Sequence, residues 1–244
     1  MTLQRSKICK GCWQQMRVPV VLRGVMSAPF RLVGIRPSQM NPNTCTVCEM
    51  MFTRVMKARK VAVDVTVLFA DLRGYTGLSQ VRSPDVIAQL LDTFYDECAS
   101  AIWQHDGLLN KTLGDAIMAI FNFPIRQADH ARQAVLAARE IQRRCQAQGA
   151  ALAERLGLGG TELGVGIGID SGEVSFGEFG RSHRDLTAIG TVVNTAARAQ
   201  AAAQAGQVLV TRAVHDRAAA EMAGRSSHEY QLKGFAAPIE LYAA

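Results

Sequence analysis

Two aspartates stand where apolar runs meet polar turns, and carboxylates in such places can hold a hard divalent cation when the fold brings them together. Val61-Ala-Val-Asp-Val-Thr-Val-Leu-Phe-Ala70 is β-branched and apolar, and Asp71 closes it ahead of the turn-forming Arg73-Gly74. Leu109 to Phe121 carries two apolar runs around a short polar kink with Lys111, Gly114 and Asp115, which reads as two strands joined by a tight turn. Either aspartate alone is ordinary strand-end chemistry. Downstream, Thr187, Asn194 and Arg198 follow at spacings of seven and four, and the last two share one helix face. A second set lies near the start, where Cys9-Lys-Gly-Cys12 and Cys45-Thr-Val-Cys48 form two Cys-x-x-Cys knuckles 32 residues apart. Two such knuckles can close a thiolate tetrahedron around zinc. An iron-sulfur cluster uses the same ligands, and a redox dithiol pair is a third reading.

Three of these stretches together resemble the motifs of the class III nucleotidyl cyclases, in the family's order: Phe69-Ala-Asp-Leu-Arg-Gly-Tyr-Thr76, Lys111-Thr-Leu-Gly-Asp115 and Thr187-Ala-Ile-Gly-Thr-Val-Val-Asn-Thr-Ala-Ala-Arg198. The resemblance runs from about Val61 to the C-terminus. It implies that Asp71 and Asp115 bind two Mg2+ or Mn2+ ions per site, that Lys111 and Thr187 read adenine, and that Asn194 and Arg198 orient the ribose and stabilise the transition state. Threonine at 187 is the variant of a bacterial adenylate-cyclase subclass. The implied product is 3′,5′-cyclic AMP, made from ATP with release of pyrophosphate. The implied assembly is a homodimer with two sites, each taking its metal carboxylates from one chain and its other residues from the partner.

Physical chemistry agrees with this assignment. Cyclisation needs attack of a 3′-hydroxyl on the α-phosphorus, which two metal ions assist at the nucleophile and at the leaving phosphates. Arg198 can meet charge that develops on the α-phosphate. Lys111 can donate to adenine N1 and Thr187 can accept from the 6-amino group, a pattern that guanine reverses. Phe176-Gly-Glu-Phe-Gly180 departs from the family's Gly-Asn-x-Gly form, so Arg184 and Arg181 both stand as candidates for a triphosphate contact. Lys233, in Leu232-Lys-Gly234, is a further candidate polyphosphate contact.

The elements that must position these residues follow from pattern. Ser83-Pro84 starts a helix whose apolar residues keep helical period to about Gln104. Asp129 to Leu156 is predicted as a second long helix, closed by Gly157 and Gly159-Gly160. Leu163-Gly-Val-Gly-Ile-Gly-Ile-Asp170 reads as a strand whose glycines admit close backbone approach, with Ser171-Gly172 turning into a hairpin partner, Glu173 to Phe176. Gly206 to Thr211 and Glu229 to Leu232 supply short strands. His105, His130, His183, His215 and His228 show no ligand spacing and read as surface or capping residues. Cys98 and Cys145 lie in helical patterns and read as packing residues. The sum is an α+β fold, a ferredoxin-like sandwich of the class III cyclase type, carrying a small Cys-rich appendage.

Charge divides the chain near residue 60. Residues 1–60 hold eleven Lys/Arg against the single acid Glu49, a net +10, and the remainder is −4. The sequence therefore predicts a basic, metal-binding appendage with a connector from Met50 to Lys60, followed by a catalytic domain over 61–244. Such an appendage suits an acidic partner or an anionic membrane surface. Nucleic acid is disfavoured, because Trp13, Phe30 and Phe52 are too scattered for base stacking. No run of about 18 uncharged apolar residues occurs, since Arg23, Pro29 and Arg31 interrupt the nearest one, Val18 to Val33. A cytoplasmic protein, soluble or peripheral to a membrane, is expected. Two other readings remain: a guanylate or other nucleotide cyclase, and a non-enzymatic zinc-ribbon regulator that binds nucleic acid or membrane beside a cyclase-like domain.

Overall fold

The computed structural model describes residues 5–155, 164–180, 182 and 184–244. Leu156, Gly157, Gly159, Gly160, Leu163, Arg181 and His183, all named above, lie outside the described residues. The helices are α1 (Lys10–Met16), α2 (Ala28–Leu32), α3 (Thr46–Ala58), α4 (Tyr75–Val81), α5 (Pro84–Gln104), α6 (His130–Arg155), α7 (Thr191–Ala202), α8 (Arg212–Arg217) and α9 (Ala219–Met222). The strands are β1 (Val61–Arg73), β2 (Leu108–Leu113), β3 (Ala116–Phe121), β4 (Gly164–Phe179), β5 (Asp185–Ile189), β6 (Val208–Thr211), β7 (Ser227–Tyr230) and β8 (Ile239–Ala243).

One sheet carries these strands in the order β2-β3-β1-β4-β6-β8-β7, with β5 pairing the end of β4. Its β4-β1-β3-β2 portion, with α5 and α6 as crossovers, is the ferredoxin-like core. Alternation along β1 sends Leu68, Ala70 and Leu72 into the layer of α5 and α6. Val65, Val67 and Phe69 go to the other face, against Met56 and Phe52 of α3 and Val192, Val193 and Ala197 of α7. Asp71 has the parity of Phe69 and so belongs to the α7 side.

The alternating glycines of β4 do what the pattern implied. A Cβ at Gly168 would overlap the backbone of Ala196 and Gln200, so α7 rests directly on the strand. One expectation fails: β4 is a single strand through Ser171-Gly172, with no hairpin there. The 13 residues of β1 pair with it from Arg73↔Gly164 to Val61↔Phe176, and that ladder overrides a local turn signal. The antiparallel neighbour of the end of β4 is instead β5, pairing Ser175↔Ile189 to Phe179↔Asp185. The strand expected over Glu229 to Leu232 lies earlier, at Ser227–Tyr230, because Leu232 turns into a small buried cluster with Leu209 and Leu241.

His130 is not a surface residue. It is 6% exposed, and its Nδ1 is 2.8 Å from the Thr66 hydroxyl, which also lies 2.9 Å from Ser171 Oγ. Cys98 of α5 is fully buried in the core, with Cys145 of α6 partly buried against the same core.

Candidate active site and cysteine centre

The β2–β3 hairpin turns at Gly114, whose φ of +68° is a conformation that glycine adopts without strain. The Tyr95 hydroxyl of α5 donates to the Gly114 carbonyl and pins the turn. Asp71 pairs in register with Ala116, and the Leu72 amide donates to the Asp115 carbonyl at 3.0 Å. Asp71 and Asp115 are thus neighbours at one end of the sheet. Burial pushes the Asp71 carboxyl above its ordinary value, the Arg73 guanidinium opposes that, and the charge of Asp115 adds to it. Two neighbouring carboxylates, one of them half-buried, are suited to a divalent cation. A positive group already leans on the pair: Arg73 Nη1 lies 2.6 Å from Asp71 Oδ2, and its guanidinium fills the space that a side chain at Gly166 would take. Sequence reading left Arg73 as a turn residue. The signal was present, since residues two apart on a strand share a face.

The base-reading candidates also come together. Asn110 of β2 receives the Thr187 hydroxyl at 3.4 Å and donates to the Leu186 carbonyl at 3.1 Å, so β2 and β5 lie side by side. The Lys111 ammonium forms an ion pair with Asp185. Asp185 was missed, although it stands two residues before Thr187 on one strand face. Asn194 and Arg198 sit one turn apart on α7, both exposed, while Thr195, Ala196 and Ala199 are buried on its other side. Neither side chain has a hydrogen-bond or ion-pair partner among the described residues. Arg184 is paired with Glu178 at 3.2 Å, and Lys233 is exposed in the loop after β7. Nothing among the described residues brings either one to the Asp71–Asp115 pair.

The four N-terminal cysteines converge. Their sulfurs all lie within 4.8 Å of one another, with Cys9–Cys48 and Cys12–Cys45 at 3.6 Å and Cys12–Cys48 at 3.4 Å. These separations are far beyond a disulfide bond. They approach the ~3.8 Å edge of a thiolate tetrahedron built on Zn–S bonds of about 2.3 Å. Backbone amides of Cys12 and Cys45 point at the Cys9 sulfur, at 3.4 and 3.2 Å, and the Cys48 amide points at the Cys45 sulfur, at 3.4 Å. Cys45 also caps α3, which explains why this helix starts four residues before the expected connector. Burial pushes the Cys12 thiol up to about 12, whereas hydrogen bonds from Cys48 and Cys9 draw Cys45 down. Four such sulfurs fit a soft divalent cation, which favours the thiolate form of each.

This centre touches the catalytic half directly. Asn43 Nδ2 donates to Asp106 Oδ1 at 2.7 Å and to the Trp103 carbonyl at 2.9 Å. Asn41 Nδ2 donates to the Gly107 carbonyl at 2.9 Å, Trp103 Nε1 to the Met40 carbonyl at 2.9 Å, and Lys10 pairs with Asp106. All of these bonds land on the last turn of α5 and the short link from it into β2.

A sheet of this order, with paired carboxylates at its hairpin end, defines a nucleotide-cyclase catalytic domain. Residues 57–243 match the model of the adenylate and guanylate cyclase catalytic domain, and the chain belongs to that family. Adenylate cyclase 1 of Rhizobium meliloti (strain 1021) is 30% identical over 136 residues, covering 55% of this chain and 20% of that protein. An adenylate cyclase of Anabaena cylindrica is 34% identical over 135 residues, covering 55% and 26%. The chain thus spans about a fifth to a quarter of the length of these curated relatives. Among solved structures, the guanylyl cyclase Cya2 matches with a TM-score of 0.69 at 27% identity, covering 75% of this chain and 92% of that one. The adenylyl cyclase CyaB from P. aeruginosa matches with 0.66 at 26%, covering 76% and 95%. No helix among the described residues is long and apolar enough to cross a membrane.

Proposed function

We propose that this chain is an adenylate cyclase, converting ATP to 3′,5′-cyclic AMP and pyrophosphate at sites shared between two copies of the chain. The observation that supports ATP best is the junction of β2 and β5, where Asn110 joins the strand of Lys111 to that of Thr187 at 3.4 Å. In this reading Lys111 donates to adenine N1 and Thr187 accepts from the 6-amino group. Mg2+ or Mn2+ held by Asp71 and Asp115 would lower the pKa of the 3′-hydroxyl and neutralise charge on the leaving pyrophosphate. Asn194 orients the ribose, and Arg198 binds the α-phosphate more tightly as its negative charge grows, which lowers the barrier rather than KM. Both residues are exposed and have no side-chain partner among the described residues, as expected if they complete a site on the opposing copy. Arg184 or Lys233 would hold the terminal phosphates.

One observation favours GTP as a second reading. Asp185 places a carboxylate beside Lys111, and guanine presents N1–H and N2 donors that such an acceptor can take. The cysteine centre we assign to structural zinc, in an appendage of residues 1–60 joined to a catalytic domain of residues 61–244. The purified chain, supplied with ATP or GTP and Mg2+ or Mn2+, separates the readings. Cyclic AMP formed in preference to cyclic GMP supports the assignment, and the reverse preference makes the protein a guanylate cyclase.

A further inference from the structure

The appendage carries a tip that its own fold leaves in solvent. Val25 is 92% exposed, Met26 72%, Leu32 88% and Val33 73%. Side chains exposed to this degree protrude, so they do not line a groove. The tip is nevertheless ordered by local bonds. The Ser27 hydroxyl donates to the Gly24 carbonyl at 2.7 Å, and the Ile35 amide to the Phe30 carbonyl at 2.9 Å. Beneath it Leu22, Phe30 and Ile35 pack with Cys9, Cys12 and Cys45. Arg23 donates to the Ser6 carbonyl and, at 2.8 Å, to that of Pro42. The four cysteines thus act as a base that holds four apolar side chains outward.

The surroundings of the tip are basic. The first acidic residue of the chain is Glu49, and Ser38 Oγ donates to it at 2.6 Å. Arg31 and Arg36 are exposed at the tip's edge. Beside them an open groove of about 600 Å³ gathers Arg36, Arg54 and Lys57 with Thr46, Thr53 and the single acid Glu49, so its three cations outnumber its one carboxylate.

We propose that this tip inserts Val25, Met26, Leu32 and Val33 into the interfacial layer of an anionic bilayer, while Arg31, Arg36, Arg54 and Lys57 meet lipid phosphates. Apolar side chains projecting from a cationic surface are what the headgroup–acyl boundary accommodates, and each basic residue near it adds electrostatic attraction. A protein partner would need a pocket to receive so convex a knob, whereas a bilayer deforms around it. The inference is independent of the nucleotide assignment, because none of these residues has been placed in the catalytic machinery.

The test is sedimentation of the zinc-loaded chain of residues 1–244 with vesicles of phosphatidylcholine, with and without phosphatidylserine, over a salt series. The parent should bind phosphatidylserine vesicles, lose binding as salt rises, and bind phosphatidylcholine weakly. Leu32→Ser with Val33→Ser should weaken that binding about tenfold or more, with metal content and cyclase rate unchanged. As a direct readout of insertion, Val33→Trp should shift its emission to shorter wavelength on phosphatidylserine vesicles. Equal binding by parent and Ser variant, no vesicle binding at low salt, or concentration-dependent self-association lost in the Ser variant would each overturn the proposal, the last by assigning the tip to a second copy of the chain.

Discussion

Asn43 Nδ2 donates to Asp106 Oδ1 at 2.7 Å, and both groups are buried. Asp106 holds a φ of +58°, costly for a residue with a Cβ, at the corner between α5 and the strand that carries Lys111. The cysteine-bound appendage therefore holds a strained turn one strand away from the catalytic hairpin.

If the four cysteines hold zinc as proposed, removing it should release that turn. A zinc-selective chelator, followed by return of Mg2+, should raise amide exchange at residues 103–113 and lower the cyclase rate. Asn43→Ala should cost about 1–3 kcal/mol in denaturant unfolding, because it takes the side-chain donor from buried Asp106 Oδ1 and leaves Lys10 alone to pair with Oδ2. Unchanged exchange at the corner after loss of metal would separate the two halves functionally.

Base choice should lie with Lys111 and Thr187. Lys111→Glu with Thr187→Cys presents an acceptor where the parent presents a donor, and should lower the ATP-to-GTP ratio of kcat/KM at least about tenfold. Asp185→Ala frees the Lys111 ammonium without altering the pair and should leave ATP preferred. A double variant that keeps the parent ratio would contradict the assignment.

Gly168→Val should displace α7. The new side chain would overlap the backbone at Ala196 and Gln200, so overpacking should cost about 1–3 kcal/mol and lower kcat by moving Asn194 and Arg198. Thermal melting and steady-state rates measure the two effects, and a fully active, equally stable variant would refute this packing account.

Stability should fall with acidity through the imidazole range. Burial lowers the pKa of His130; the Asp64 carboxylate opposes the shift, and Arg217 adds to it. The Thr66 hydroxyl faces its Nδ1 and is itself bonded to Ser171, and the Asp129 carboxylate also opposes the shift. A group depressed in the folded state is protonated more readily in the unfolded chain, so its contribution is complete above about pH 6.5 and declines as pH falls below that value. Asp170 shifts upward and acts with the opposite sign, in the lower carboxylate range. His130→Gln should flatten the dependence between about pH 6.5 and 5 relative to the parent, measured by urea unfolding.

Much of this was legible in residue types. The β-branched run to Asp71, the Gly114 kink, the Ser83-Pro84 helix start and the cysteine spacing report local conformation and donor chemistry, which a sequence carries directly. What escaped depends on partners distant in the chain. Ser171-Gly172 has turn chemistry, yet β1 is long enough to hold it in a strand. His130 looked superficial because nothing local foretells that Thr66, 64 positions away, faces it. Lys111 and Asp185 lie 74 positions apart, and only the packing of β2 beside β5 brings them together.

The most direct measurement mixes two inactive variants. Asp71→Ala and Asn194→Ala should each abolish activity alone, since every homodimer then carries the lesion in both sites. With free subunit exchange about half the dimers are mixed, and one of their two sites is intact, so the mixture should regain roughly a quarter of wild-type turnover at equal total protein. Differently tagged chains establish that mixed dimers form. Mixed dimers that form and remain as inactive as either variant would contradict a catalytic site shared between Asp71 of one copy and Asn194 of the other.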